Sequence, residues 1–130
     1  MPQEPLPPTA RPVLVVDDDP DIREALSDVL TEEGYRVHDA VDGVHALEQI
    51  ARIPRPCVVL LDWRMPRLDG KGLLDALETQ GALSGLTVLV QTAVPHEVRD
   101  ARVTQVLPKP LDMGDVLEAL NGPTSTPLRS

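Results

Sequence analysis

At 130 residues the chain fits one domain, and 42% hydrophobic residues are enough for a core without disulfide staples. A formal charge of −9 has the wrong sign for displacing counterions from phosphates, which argues against a nucleic-acid partner. The single cysteine, Cys57, excludes an intramolecular disulfide, and no apolar stretch approaches the ~20 residues that span a bilayer.

Residues 1–11 carry four prolines and no apolar signal-peptide core, which reads as a disordered leader and makes the cytoplasm the default location. Val13 to Val16 is a continuous apolar run, the pattern of a buried strand. Pro20 suits a helix start, where its missing N–H costs nothing. Ile22, Ala25, Leu26, Val29 and Leu30 then follow at helical spacing until Gly34. Tyr35 to Ala40 is a mixed strand. Asp42 can cap a helix with Val44, Leu47, Ile50 and Ala51 inward. Cys57 to Leu61 is a second buried strand, its cysteine a buried thiol. Asp69–Gly70 opens a helix with Leu73, Leu74 and Leu77 inward. Leu86 to Val90 is a third buried strand, Thr104 to Leu107 a short mixed one, and Val116, Leu117 and Leu120 mark the last helix. Residues 122–130 read as a flexible tail, leaving 12–121 as the domain.

Strands alternating with amphipathic helices predict βαβ units and a parallel sheet. The runs at 13–16, 57–61 and 86–90 are apolar nearly throughout, as strands covered on both faces must be. Those at 35–40 and 104–107 carry polar side chains, as edges can. Numbered along the chain, interior strands 1, 3 and 4 with edges 2 and 5 fit the order 2-1-3-4-5. That is a flavodoxin-like, doubly wound, five-stranded α/β sheet.

Open α/β sheets place ligands at the carboxyl ends of their strands. Those ends here carry Asp17-Asp18-Asp19, Asp62, Gln91-Thr92-Ala93 and Pro108-Lys109-Pro110. Acids from two strands, a hydroxyl and an amine should therefore meet in one crevice. Clustered carboxylates repel unless a cation is present, and hard oxygen ligands favour Mg²⁺. A carboxylate can also attack phosphorus, and the transferred group then needs its oxygens neutralised. Asp62 suits the nucleophile, Asp17 and Asp18 the metal, Lys109 the cation and Thr92 the hydroxyl.

The segments VLVVDDDPDIREAL, VVLLDWRMPRLDG, VLVQTA and VLPKPLD resemble the four signature segments of bacterial response-regulator receiver domains, over about residues 12–121. The resemblance implies that Asp62 accepts a phosphoryl group from a sensor kinase histidine or a phosphotransfer protein. It implies Mg²⁺ held directly by Asp18 and Asp62, through water by Asp17, and by the backbone carbonyl of Arg64. It makes Thr92 the switch hydroxyl and Lys109 the partner of the phosphoryl group, and it implies a cis Lys109–Pro110 peptide. It also implies a signalling switch rather than an enzyme, catalysing only its own phosphorylation and dephosphorylation. Three departures stand out. The span from Thr92 to Lys109 is short, so the fourth helix (about 95–102) must be stubby or missing. A Gly-Ala before the last strand is absent. Val106 takes the aromatic switch position and Leu111 that of a common Phe.

Each residue also has an ordinary reading. An acid run at a strand end is more often a helix cap, and Asp19 fits that role. A lone Asp62, Thr92 or Lys109 would be a turn or surface residue, and only their agreement across strand ends favours function. Asp69 and Gly70 are structural, Trp63 is half-exposed cover beside the site, and His38, His45 and His96 lack metal-ligand spacing. The alternative function is a pseudo-receiver, binding protein partners without phosphotransfer. An aspartyl phosphohydrolase is disfavoured because Asp62-Trp63-Arg64 lacks the second acid of an Asp-x-Asp loop. The kinase and the downstream target are not named by any residue.

Overall fold

The computed structural model describes residues 11–121; the expected leader, apart from Arg11, and the expected tail at 122–130 lie outside them. Strand β1 (Val13–Val16) pairs in parallel with β2 (Val37–Ala40) on one side and β3 (Cys57–Asp62) on the other. Strand β4 (Leu86–Thr92) adds to β3, and β5 (Gln105–Pro108) adds to β4, so the order is 2-1-3-4-5 as expected. Every buried interior strand forms where its apolar run predicts, because both faces are covered.

Side-chain alternation splits the core into two layers. Leu14, Val16, Val59, Leu61, Val88 and Val90 face α2 (Gly43–Ile50) and α3 (Gly70–Thr79). Val13, Val15, Val58, Leu60, Leu89 and Leu107 face α1 (Pro20–Glu32) and α4 (Met113–Leu120). Continuing the alternation to the strand ends puts Asp17, Asp62 and Gln91 on the α1/α4 side. The same sheet that fills the core thus aims three polar side chains in one direction.

Helix starts follow local chemistry. Asp19, Asp42, Asp69 and Asp112 are the N-caps of α1 to α4, each accepting at least one backbone N–H of the first turn. Pro20 is the first residue of α1, and Gly34, with φ of 97°, ends it in the left-handed region. Leu73, Leu74 and Leu77 are buried as predicted.

The inward face of α2 is a correction. Gly43, Ala46 and Ile50 are buried, whereas Val44 is 47% exposed and Ala51 is exposed. Gly43 packs so tightly on the loop after β3 that a Cβ there would lie 2.3 Å from the Leu68 carbonyl oxygen. Gly43 N–H also donates to that oxygen at 3.1 Å. The contact turns residues 43, 46 and 50 to the sheet and rolls Val44 outward. Ala25, one of the apolar residues at helical spacing on α1, is likewise exposed. Strand β2 begins at Val37 rather than at Tyr35, whose ring is buried ahead of the strand.

Between β4 and β5 the expected short helix is a single 3₁₀ turn, Pro95–Glu97. Arg102 anchors the irregular remainder, reaching Asp100 at 2.6 Å and, on α3, Asp75 at 2.8 Å and Glu78 at 3.0 Å. The Lys109–Pro110 peptide is cis, and so is Arg55–Pro56, which the sequence did not signal.

Candidate functional site

The crevice forms where β1 and β3 end side by side. Carboxylate oxygens of Asp17, Asp18 and Asp62 lie within 4.8 Å of one another. Asp17 is fully buried and Asp62 is 5% exposed, while Asp18 faces solvent. Lys109 leaves the end of β5 and brings Nζ to 3.4 Å from Asp62 Oδ1 and 3.9 Å from Asp17 Oδ2. The register explains the convergence: Asp62 lies opposite Gln91, and Lys109 N–H donates to the Thr92 carbonyl at 2.8 Å.

Two buried carboxylates beside one ammonium leave a surplus of negative charge. Asp62 titrates at about 6, raised first by burial and then by the Asp17 charge, against the pull of Lys109 and the Arg64 backbone. Asp17 is raised as well, mainly by burial, although the Asp19 N–H it accepts and Lys109 oppose the shift. By contrast, burial pushes the Cys57 thiol up to about 11, so it stays protonated and unreactive.

Thr92 stands at the end of β4, buried, with Oγ1 accepting the Val94 N–H at 3.1 Å in its own turn. Arg64 is exposed, and its guanidinium pairs with Glu97 on the 3₁₀ turn, bridging the loops after β3 and β4. Trp63 is half-buried, its ring lying where a Cβ on Gly70 would come within 2.6 Å. Asp19 caps α1 rather than joining the carboxylate group.

Sequence reasoning did not foresee three side-chain contacts on this edge of the sheet. Gln91 Nε2 donates to Asp17 Oδ2 at 3.0 Å. Arg23 Nη1 donates to the Asp17 carbonyl at 2.8 Å, holding α1 to the end of β1. Asp42, buried, pairs with Arg67 as well as capping α2. Gln91 had a legible signal, a polar residue in phase with Leu89 on a buried strand. The two arginines had none, because Arg23 reaches back across a turn and Arg67 reaches a residue 25 positions away, and only the fold defines both paths.

A doubly wound parallel sheet with acids, a hydroxyl and an amine at its carboxyl edge defines a class of switch domain. The family model of the response regulator receiver domain matches residues 13–121. The response regulator MprA of Mycobacterium leprae is 43% identical over 110 residues, covering 81% of this chain and 47% of that protein. Chemotaxis response regulator CheY4 of Vibrio cholerae superposes with a TM-score of 0.76 at 29% identity, covering 86% of this chain and 97% of that one. Response regulator TrrA of Thermotoga maritima, solved in complex with Mg²⁺-BeF, gives a TM-score of 0.73 at 27% identity, covering 85% and 96%.

This chain therefore belongs to the response regulator receiver domain family. Such domains are signalling switches of two-component systems that interact with histidine kinases or phosphotransfer proteins, and they generally bind Mg²⁺ at an acidic cluster. The chain spans about half the length of the curated relatives it matches. Among the described residues no helix is long and apolar enough to cross a membrane.

The residues present fit a divalent cation. All donors are hard carboxylate oxygens, two of them buried with raised pKa, so a cation would relieve a repulsion already built in.

Proposed function

We propose that this domain, residues 12–121, accepts a phosphoryl group on Asp62 in an Mg²⁺-dependent reaction and signals through the resulting change of charge. The observation that carries the reading is Lys109 Nζ 3.4 Å from Asp62 Oδ1, beside three carboxylates within 4.8 Å of one another. An ammonium beside a nearly buried carboxylate orients it and stands ready for charge that arrives with a phosphoryl group. Asp17, Asp18 and Asp62, with the backbone carbonyl of Arg64, would hold the cation. When bound, Mg²⁺ supplies charge neutralisation for the phosphoryl oxygens and keeps the carboxylates ionised.

In the transfer the P–N bond of a phosphohistidine breaks, a P–O bond to Asp62 forms, and the departing imidazole takes a proton. Lys109 stays paired with the new oxygens, and Thr92 offers its hydroxyl to one of them. The domain would act in the cytoplasm, receive its phosphoryl group from a sensor histidine kinase or a phosphotransfer protein, and pass the signal by protein contacts. It would not bind DNA by itself, given the −9 charge.

Intact-protein mass spectrometry after incubation with acetyl phosphate or phosphoramidate tests the proposal. Wild type should gain one phosphoryl group only with Mg²⁺, and Asp62→Asn should gain none. Equal labelling of both proteins sinks the assignment of Asp62, and labelling of neither favours a pseudo-receiver.

A further inference from the structure

We infer that Gln91 is a positioning residue, holding the Asp17 carboxylate in the orientation in which it serves the divalent cation. The inference deepens the receiver reading and rests on it. Gln91 is fully buried at the carboxyl end of β4, directly after the apolar Val88, Leu89 and Val90. Its Nε2 donates to Asp17 Oδ2 at 3.0 Å. The amide orientation is forced, because an ionised carboxylate only accepts and must therefore face the NH₂ end. Oε1 is buried without a hydrogen-bond partner, and Gln91 lines a pocket of about 330 Å³ between α1 and the segment after β5. With Oε1 unpaired, the hydrogen bond that fixes this side chain is the one from Nε2 to Asp17.

Asp17 has few other means of support. Oδ1 accepts the Asp19 N–H at 2.9 Å, and Oδ2 lies 3.9 Å from Lys109 Nζ. Lys109 sits closer to Asp62, at 3.4 Å, and a phosphoryl group there would draw it further from Asp17. Gln91 carries no charge, so its hydrogen bond is not redirected by that event. Its backbone adds a second tie, since the Gln91 carbonyl accepts the Trp63 N–H at 3.1 Å. One residue thus links the ends of β1, β3 and β4, and it keeps Asp17 aligned while the charge on Asp62 changes.

Gln91→Met keeps the length and removes the donor. Mg²⁺ titration, followed by Trp63 fluorescence and calorimetry, should give a dissociation constant about tenfold weaker, the scale of one hydrogen bond to a charged group. In an Asp17→Ala background the same substitution should leave the constant unchanged, since its acceptor is gone. Equal weakening in both backgrounds, or none in either, overturns the inference. A readout independent of metal is the Gln91 side-chain amide in ¹⁵N spectra. Its protons should exchange slowly in wild type and at least tenfold faster in Asp17→Ala, whereas equal exchange rates also overturn the inference. Wild type that binds no Mg²⁺ and takes no phosphoryl group defeats the receiver reading instead, and that outcome is distinct from any result specific to Gln91.

Discussion

Asp62 releases its proton at about pH 6 because burial and the neighbouring Asp17 charge outweigh Lys109. In the unfolded chain the same carboxyl titrates near its ordinary value of about 4. Between these two values the folded state holds a proton that the unfolded state has lost, so metal-free stability falls as pH rises from about 4 to about 6. Asp62→Asn should therefore stabilise the metal-free protein at pH 7 by about 2 kcal/mol, with the gain vanishing by pH 4. Urea unfolding in EDTA at the two pH values measures this, and an equal gain at both would point to packing rather than charge. Asp17, Asp62 and Lys109 were legible in the sequence because strand ends of a parallel sheet share one edge. Gln91 was visible as a residue but not as a partner, since its role depends on strand phase and on the neighbouring strand together.

The segment from Ala93 to Thr104 is the element least like its expectation, a single turn followed by irregular chain. It is tied down by charge. Arg102, with a side chain 18% exposed, pairs with Asp100, whose carboxyl it holds down to about 2. The ties to Asp75 and Glu78 are more exposed and contribute less. Because the Asp100 pKa is lowered, its stabilisation is present above pH 4 and is lost as pH falls toward 2. Arg102→Met should cost about 2 kcal/mol at pH 7 and speed amide hydrogen exchange at 93–104 before other regions. Uniform exchange across the sheet would show that this clasp is not local. The shortness of the segment was legible from the span between Thr92 and Lys109, set against the family the sequence resembles. Its clasp was not, because residues 75 and 102 meet only once α3 has packed. The phase of α2 was misread for a related reason: Val44 looks apolar in isolation, and only the close contact at Gly43 turns it outward.

At the scale of the whole molecule, the fold class and strand order were readable because apolar and mixed strands sort themselves into interior and edge. The route by which charge at Asp62 reaches the rest of the molecule is a different matter. Val106 lies opposite Val90 on β5, an aliphatic residue with no ring to reorient. With beryllofluoride as a phosphoryl mimic, protection from hydrogen exchange should rise around Asp17, Asp62 and 93–104, while α4 changes little. A large cooperative change across α4 would overturn that expectation.

The opposite edge of the sheet is closed by two guanidinium groups. Arg55 donates to the carbonyls of Ile50, Ile53, Ala82 and Ser84, and Arg11 donates to that of Leu120 at 2.5 Å. Those to Ile50 and Leu120 satisfy carbonyls that helix ends would otherwise leave open, and those to Ile53, Ala82 and Ser84 tie the loops after α2 and α3. Mechanically, this end is held by side chains that donate to backbone carbonyls, whereas the carboxyl edge is held largely by ionised side chains whose balance a new charge alters. A change of charge at Asp62 should therefore be taken up first in the loops that share the carboxyl edge, and least where Arg55 and Arg11 hold the far end.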